Sequence, residues 1–174
     1  NIAGGGNDSK AVMLEPVLSQ LGTPLLQRTE GYKIPSLLFL TELQNGGGKH
    51  AEFARRFGGK RRATYWTAHV GLIVHEDMLG HELDVSESQD GRTLQVRFVW
   101  GGEPVCVTGI YAPAYTSGRA RQRYYEELQV PEHVLHQVIL GDFQHVTHVG
   151  VDCGNSNASN IGRKQWEQFV NAHE

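Results

Sequence analysis

The chain has 174 residues, 39% of them hydrophobic, and a formal net charge of −3 at pH 7. This length suits one domain with a proper hydrophobic core, and the net charge excludes a uniformly basic nucleic-acid binder. Two cysteines, Cys106 and Cys153, exclude a disulfide framework and suit a reducing compartment. Because no apolar run reaches the ~18 residues of a membrane span, we expect a single intracellular domain over residues 1–174.

The first predicted elements are a helix and a strand. After the glycine-rich start NIAGGGND, apolar side chains recur at helical spacing at Leu14, Val17, Leu18 and Leu21. Residues 34–40 (IPSLLFL) form a short apolar run, which predicts a strand buried on both faces. The following stretch, residues 45–62, is rich in glycine and charge and predicts a loop.

The rest of the chain predicts further strands and two helices. The predicted strands are the two in RATYWTAHVGLIVH, then TLQVRFVW, EPVCVTGIYAP and VILGDF. The predicted helices are GRARQRYYEELQV, with Tyr124 and Leu128 facing inward and Tyr125 as a further candidate, and a last one beginning at RKQWEQFV. This order predicts an α/β (α+β) architecture with a predominantly antiparallel sheet.

Polar side chains follow the apolar runs of several predicted strands. Glu42 follows FLT, Tyr111 ends GIY before Ala-Pro, and Asp142 and Gln144 follow VILG, while Asn1 opens the glycine-rich start. A lone acid at a strand end is more often a solvent-facing residue than a functional one. Several such groups on rigid strands favour a functional site, because strands position side chains well.

The order and spacing of these segments resemble a known superfamily. From Asn1 to about Asp152, the set NIAGG, LLFLTEL, HVGLIV, GIYAP, RQRYYEEL and VILGDFQ resembles the endonuclease/exonuclease/phosphatase superfamily, which has the DNase-I-like fold. The retrotransposon-type and abasic-site endonuclease domains look most similar. The resemblance implies a four-layered α/β sandwich and hydrolysis of phosphodiesters with a divalent metal.

The resemblance also implies roles for the strand-end residues. Glu42 is similar to the carboxylate that holds Mg²⁺ (or Mn²⁺), with Asn1 as the amide near the metal. Asp142 is similar to the residue that orients and deprotonates the attacking water. Tyr111 is similar to the tyrosine whose hydroxyl faces the scissile phosphate, and Gln144 stands where the family has an asparagine amide.

The chain departs from the family pattern in three places. Gln144 is one methylene longer than the family's asparagine, and Ala114 stands where abasic-site nucleases carry an asparagine. The family's closing Ser-Asp-His stretch has no counterpart, since His173 follows Ala172 in the last predicted helix. We therefore expect a domain incomplete at both ends, which is inactive by itself or active only within a longer chain.

Basic side chains are clustered and predict contact with the DNA backbone. One group lies in the predicted glycine-broken loop and the other at the start of a predicted helix: Arg55, Arg56, Lys60, Arg61 and Arg62, and Arg119, Arg121 and Arg123. A solvated charged loop is the alternative interpretation. Tyr65 and Trp66 are interpreted as core residues rather than as base-stacking ones.

Other interpretations remain open. His145, His148, Asp152 and Cys153 are close in sequence and resemble a zinc cluster only weakly, because they lack the usual paired spacings. The sequence favours a Mg²⁺-dependent DNA endonuclease domain of a retrotransposon-type protein, which would act in the nucleus. The alternative is a degenerate member of the same fold that binds nucleic acid or protein without catalysis. A phosphatase of inositol phosphates or an enzyme acting on lipid phosphodiesters is less favoured.

Overall fold

The structure is a computed structural model of the chain. It describes residues 37–41, 43, 50–58, 62–75, 81–113, 118–129, 131, 134–144 and 163–172. The chain divides into two compact units, the first comprising Asn1–Tyr111 with His133–Gly141 and the second comprising Ala112–Glu132 with Asp142–Glu174. The helix predicted around Leu14 to Leu21 lies outside the described residues.

The first unit contains a three-stranded sheet. Its strands are β1 (Leu37–Thr41), β2 (Arg62–Trp66) and β3 (Val70–His75), in the order β1-β3-β2 with antiparallel pairing throughout. The central strand β3 is buried along its whole length, which agrees with its nearly continuous apolar sequence. The prediction of two strands meeting at a turn in residues 62–75 is confirmed.

A four-stranded sheet carries the remaining strands. These are β4 (His81–Glu87), β5 (Thr93–Trp100), β6 (Glu103–Tyr111) and β7 (His136–Asp142), in the order β4-β5-β6-β7. The β4–β5 and β5–β6 pairs are antiparallel, as predicted for the sheet. The strand β4 is not predicted from the sequence, because HELDVSE is mostly polar.

The core of the first unit lies on both faces of β3. On one face, Val70, Leu72 and Val74 pack against apolar residues of β5 and β6 such as Val96 and Val107. On the other face, Ile73 packs with residues from β1 and from a helix. Period-two alternation along β3 therefore divides the apolar side chains between two layers of core.

That helix corrects the sequence prediction for residues 45–62. Residues His50–Phe57 form a helix, α1, and not a loop. Phe53 and Phe57 are four residues apart, so both lie on one helix face, and their rings pack against Trp66 at centroid distances of 5.1 and 5.7 Å. The glycines on either side of this short apolar stripe led to the loop prediction. Trp66 is a packing residue, as predicted.

The second unit contains two helices, α2 (Gly118–Glu127) and α3 (Arg163–Asn171), which contact each other. Tyr125 on α2 is buried, and its ring lies 5.6 Å from that of Trp166 on α3. Trp166 also stacks on Phe169 at 5.5 Å. Both helices were predicted. Tyr125 is confirmed as an inward-facing residue, whereas Tyr124 and Leu128 are only half-buried. No helix within the described ranges is long and apolar enough to cross a membrane.

Candidate functional site

Asp142 ends β7, and its carboxylate is held by Gln144. The backbone N–H of Gln144 donates to Oδ1 of Asp142 at 3.0 Å, and the Gln144 side-chain amide donates to Oδ2 at 2.7 Å. The Asp142 carbonyl accepts the backbone N–H of Ala112 at 2.9 Å. Each carboxylate oxygen has two acceptor positions, so each can still accept a hydrogen bond from a further donor such as water.

The backbone on each side of Asp142 adopts an unusual conformation. Gly141 has φ of 154°, and a Cβ there would overlap the backbone carbonyl of Ile110. Gln144 has φ of 52°, in the left-handed region that residues other than glycine, asparagine and aspartate rarely adopt. Glycine before Asp142 is thus a steric requirement, while the conformation of Gln144 carries strain.

A hydroxyl from α2 fixes the backbone of the same turn. Tyr125 is 2% exposed, and its hydroxyl donates to the carbonyl of Phe143, which lies between Asp142 and Gln144. Trp166 packs on the Phe143 ring at 4.5 Å. Burial is the main cause that raises the pKa of Tyr125, so its hydroxyl keeps its proton and remains a donor. We call Asp142, Phe143 and Gln144 the Asp142 turn.

Tyr111 ends β6 in the first unit and is surrounded by His69 and Arg92. The Tyr111 backbone N–H donates to the Arg92 carbonyl at 2.8 Å, and Nη1 of Arg92 donates to the Tyr111 carbonyl at 3.3 Å. The Arg92 guanidinium lies 5.2 Å from the centre of the Tyr111 ring, and the His69 ring stacks on it at 5.6 Å. The side chains of His69 and Arg92 therefore fix the Tyr111 ring, and two hydrogen bonds with Arg92 fix its backbone.

The two predicted metal ligands, Glu42 and Asn1, lie outside the described residues. Leu43, which follows Glu42, is buried, and its backbone N–H donates to the His69 carbonyl at 3.3 Å. A carboxylate and an amide carbonyl are the oxygen donors that Mg²⁺ prefers, so the predicted pair fits this metal chemically. Within the described part of the chain, no group of three or more histidine, cysteine, aspartate and glutamate side chains could hold a metal. The zinc interpretation falls on residues outside it.

The basic residues of the first group are partly described. Arg55 and Arg56 lie in the last turn of α1 and, with Glu52, line an open pocket of about 300 Å³. Arg62 begins β2, while Lys60 and Arg61 are not among the described residues.

The basic residues of α2 differ in exposure. Arg123 is exposed and forms an ion pair with Glu127 at 2.6 Å. Arg121 is only 6% exposed, and its Nε is buried without a hydrogen-bond partner in the described structure. Arg121 is therefore less accessible than Arg123, and its role in DNA binding stays a prediction.

The sequence predicts no functional role for three residues that contact the Asp142 turn or Tyr111, namely Tyr125, His69 and Arg92. Tyr125 is predicted only as an inward-facing helix residue, and His69 and Arg92 are not predicted at all. The available signal for Tyr125 is its aromatic side chain in an otherwise polar helix. His69 and Arg92 lie 42 and 19 positions before Tyr111, so no local pattern connects them with it.

Comparison with known proteins gives structural matches only. No family profile and no curated protein matches the chain. An AP endonuclease from Archaeoglobus fulgidus matches with a TM-score of 0.62 at 15% identity, over 99% of this chain and 68% of that one. D. rerio TDP2 complexed with a single-stranded DNA product matches with a TM-score of 0.52 at 13% identity, over 77% of this chain and 53% of that one. A humanized D. rerio TDP2 with 14 mutations matches with a TM-score of 0.54 at 12% identity, over 82% of this chain and 59% of that one.

The chain thus spans between 53% and 68% of the length of these solved proteins. At this level of identity the likeness concerns the fold. The mixed α/β architecture with two sheets and three described helices agrees with it. The chain has the DNase-I-like fold, which it shares with these solved proteins.

Proposed function

We propose that the chain is a metal-dependent phosphodiesterase that cuts DNA, as the endonuclease domain of a retrotransposon-type protein. The observation that carries the proposal is the Asp142 turn, in a chain with the DNase-I-like fold. A carboxylate at a strand end, fixed by two hydrogen bonds from Gln144, is oriented before the substrate arrives. Such preorganisation is what a general base needs in order to act on a water molecule.

The proposed roles follow the chemistry of each group. Asp142 orients the attacking water and accepts its proton. The Tyr111 hydroxyl donates to a non-bridging oxygen of the phosphate, and Gln144 keeps Asp142 in place. Glu42 and Asn1 would hold Mg²⁺ or Mn²⁺, which supplies charge neutralisation at the phosphate when it is bound.

The matched proteins support the choice of substrate. One is an AP endonuclease, and another was solved with a single-stranded DNA product. In this chain, Arg55 and Arg56 present positive charge on the surface of α1. A polymeric phosphate is therefore favoured over an inositol phosphate or a lipid phosphodiester.

A degenerate DNA-binding protein is the second candidate, and Gln144 is the observation that favours it. Its amide donates to Asp142, two residues before it in the same turn. If catalysis needs the Gln144 amide to bind the phosphate, its hydrogen bond to Asp142 makes it unavailable for that contact. The same fold would then bind DNA through its basic residues without cutting it.

The test is nicking of supercoiled plasmid in Mg²⁺ and in EDTA, by the 174-residue chain and by a version extended along its own reading frame. Asp142→Asn and Glu42→Ala are expected to reduce nicking at least about 100-fold. Asp84→Asn is the matched control, since this exposed carboxylate pairs with Arg97. DNA binding of every variant is measured in parallel.

Gln144→Asn separates the two candidates. Asparagine is the residue of the family pattern, and it tolerates a positive φ better than glutamine does. We expect Gln144→Asn to increase nicking if the chain is a nuclease. Binding without nicking by the extended chain, with either residue at position 144, would favour the degenerate candidate instead.

A further inference from the structure

The turn between β2 and β3 is anchored by a buried threonine. Thr67 is fully buried, and its hydroxyl donates to the Gly91 carbonyl at 2.6 Å. The Thr67 oxygen accepts the backbone N–H of Val70 at 3.0 Å and that of His69 at 3.3 Å. The Thr67 hydroxyl therefore fixes the backbone of the turn that contains Ala68. It also links this turn to the one that precedes Arg92.

The contact between these two turns depends on the absence of a side chain at Gly91. Gly91 has φ of 66°, and a Cβ there would lie 2.9 Å from the Cβ of Ala68. The Gly91 carbonyl also accepts the backbone N–H of His69 at 3.3 Å. The backbone of His69 is thus held by hydrogen bonds within the described part of the first unit.

His69 contacts one proposed reaction group, Tyr111, and the residue next to another, Glu42. Its carbonyl accepts the N–H of Leu43, the residue after Glu42, and its ring stacks on Tyr111 with an interplanar angle of 29°. Its Nδ1 is buried and has no hydrogen-bond partner among the described residues. Burial lowers the pKa of His69, and the Arg92 guanidinium lowers it further, so the ring is neutral at pH 7.

From these contacts we infer that His69 is a positioning residue for Tyr111, acting through the face of its ring and not through its nitrogens. The inference rests on the proposed function, because Tyr111 is the group that acts on the phosphate. Stacking of a neutral ring restricts the Tyr111 side chain without competing for its hydroxyl. Nδ1 makes no hydrogen bond among the described residues, so the inference rests on the stacking contact with Tyr111.

Two substitutions of His69 test whether the ring face or the ring nitrogens position Tyr111. His69→Phe keeps an aromatic face and removes both nitrogens, so we expect kcat within about twofold of the wild type. His69→Ala removes the face, and we expect kcat to fall at least about tenfold with KM nearly unchanged, because Tyr111 is no longer held in place. His136→Ala, at an exposed histidine paired with Glu103, is the control and leaves kcat unchanged.

A double-mutant cycle identifies the route of the effect. In a Tyr111→Ala background there is no ring to position, so His69→Ala is expected to cause no further loss. Full additivity of the two substitutions would overturn the inference. A loss of kcat in His69→Phe as large as that in His69→Ala would also overturn it, since the nitrogens would then matter.

A second measurement does not depend on cleavage. With 3-fluorotyrosine at position 111, the ¹⁹F resonance is expected to shift and broaden in His69→Ala but to remain dispersed in His69→Phe. An unchanged ¹⁹F spectrum in His69→Ala would overturn the positioning role whether or not the chain cuts DNA. The ¹⁹F spectrum can change as expected even though the wild type does not nick DNA. The proposed function would then be wrong, while the stacking of His69 on Tyr111 would be supported.

Discussion

The Tyr125 hydroxyl donates to the backbone of the Asp142 turn, so its removal should lower the stability of the chain. Tyr125→Phe leaves the Phe143 carbonyl without its donor, and we expect a loss of about 1 kcal/mol in the free energy of unfolding. Tyr125→Ala should cost about 3–5 kcal/mol, because it also empties a buried aromatic position. Urea denaturation of the three proteins measures both values. A Tyr125→Phe variant as stable as the wild type would show that this hydrogen bond contributes nothing.

The half-buried position of His69 predicts a dependence of stability on pH. Burial and the Arg92 guanidinium lower the pKa of His69, while Asp90 acts in the opposite direction. The unfolded chain therefore takes up the proton at a higher pH than the folded chain does. Above the ordinary histidine pKa of about 6.5, protonation of His69 does not affect the free energy of unfolding. Below that pKa, the free energy of unfolding falls as the pH approaches the lower pKa of the folded state.

His69→Phe isolates this contribution, because it removes the titrating group and keeps the ring. We expect the free energy of unfolding of His69→Phe, relative to the wild type, to be higher at pH 5.5 than at pH 7.5. Urea denaturation of both proteins at the two pH values measures this difference. The other acidic and basic groups are the same in both proteins, so their effects cancel when the two free energies are subtracted. A difference independent of pH would contradict the lowered pKa.

At the scale of elements, α1 is a helix where the sequence predicts a loop, and its helical state can be tested. Ala54 is exposed in the middle of α1. Ala54→Gly is expected to cost about 1 kcal/mol in a helix but close to nothing in a loop. Phe53→Ala should cost about 3–5 kcal/mol, since its buried ring packs on Phe57 and Trp66. Chemical denaturation measures both.

The other elements show which patterns are informative in this sequence. The run of buried residues in β3 and the alternation in β5 predict their strands, because burial against two layers or one dictates those patterns. The strand β4 has too few apolar residues to show alternation. Its backbone pairing with β5 is what makes it a strand, and such pairing leaves no pattern in its own side chains.

At the scale of the whole molecule, the sequence predicts the ends of strands better than the contacts made there. Tyr111 and Asp142 end β6 and β7, as their positions after apolar runs predicted. The partners that fix them, His69 and Tyr125, are brought to them by folding across 42 and 17 residues. Contacts at such separations depend on sheet order and helix packing, which a single sequence does not encode locally.

Backbone-phosphate contact is a property of the whole charge distribution, and its dependence on salt is the last prediction. If Arg55 and Arg56 each contact a phosphate, Arg55→Gln/Arg56→Gln should weaken DNA binding and reduce the slope of log K against log salt by about 0.9 per contact. Arg97→Gln/Arg163→Gln removes the same charge from residues that pair with Asp84 and Glu167, so it should change the slope little. Fluorescence anisotropy from 50 to 200 mM salt measures both slopes. Equal changes in the two double variants would mean that net charge, and not the surface of α1, determines binding.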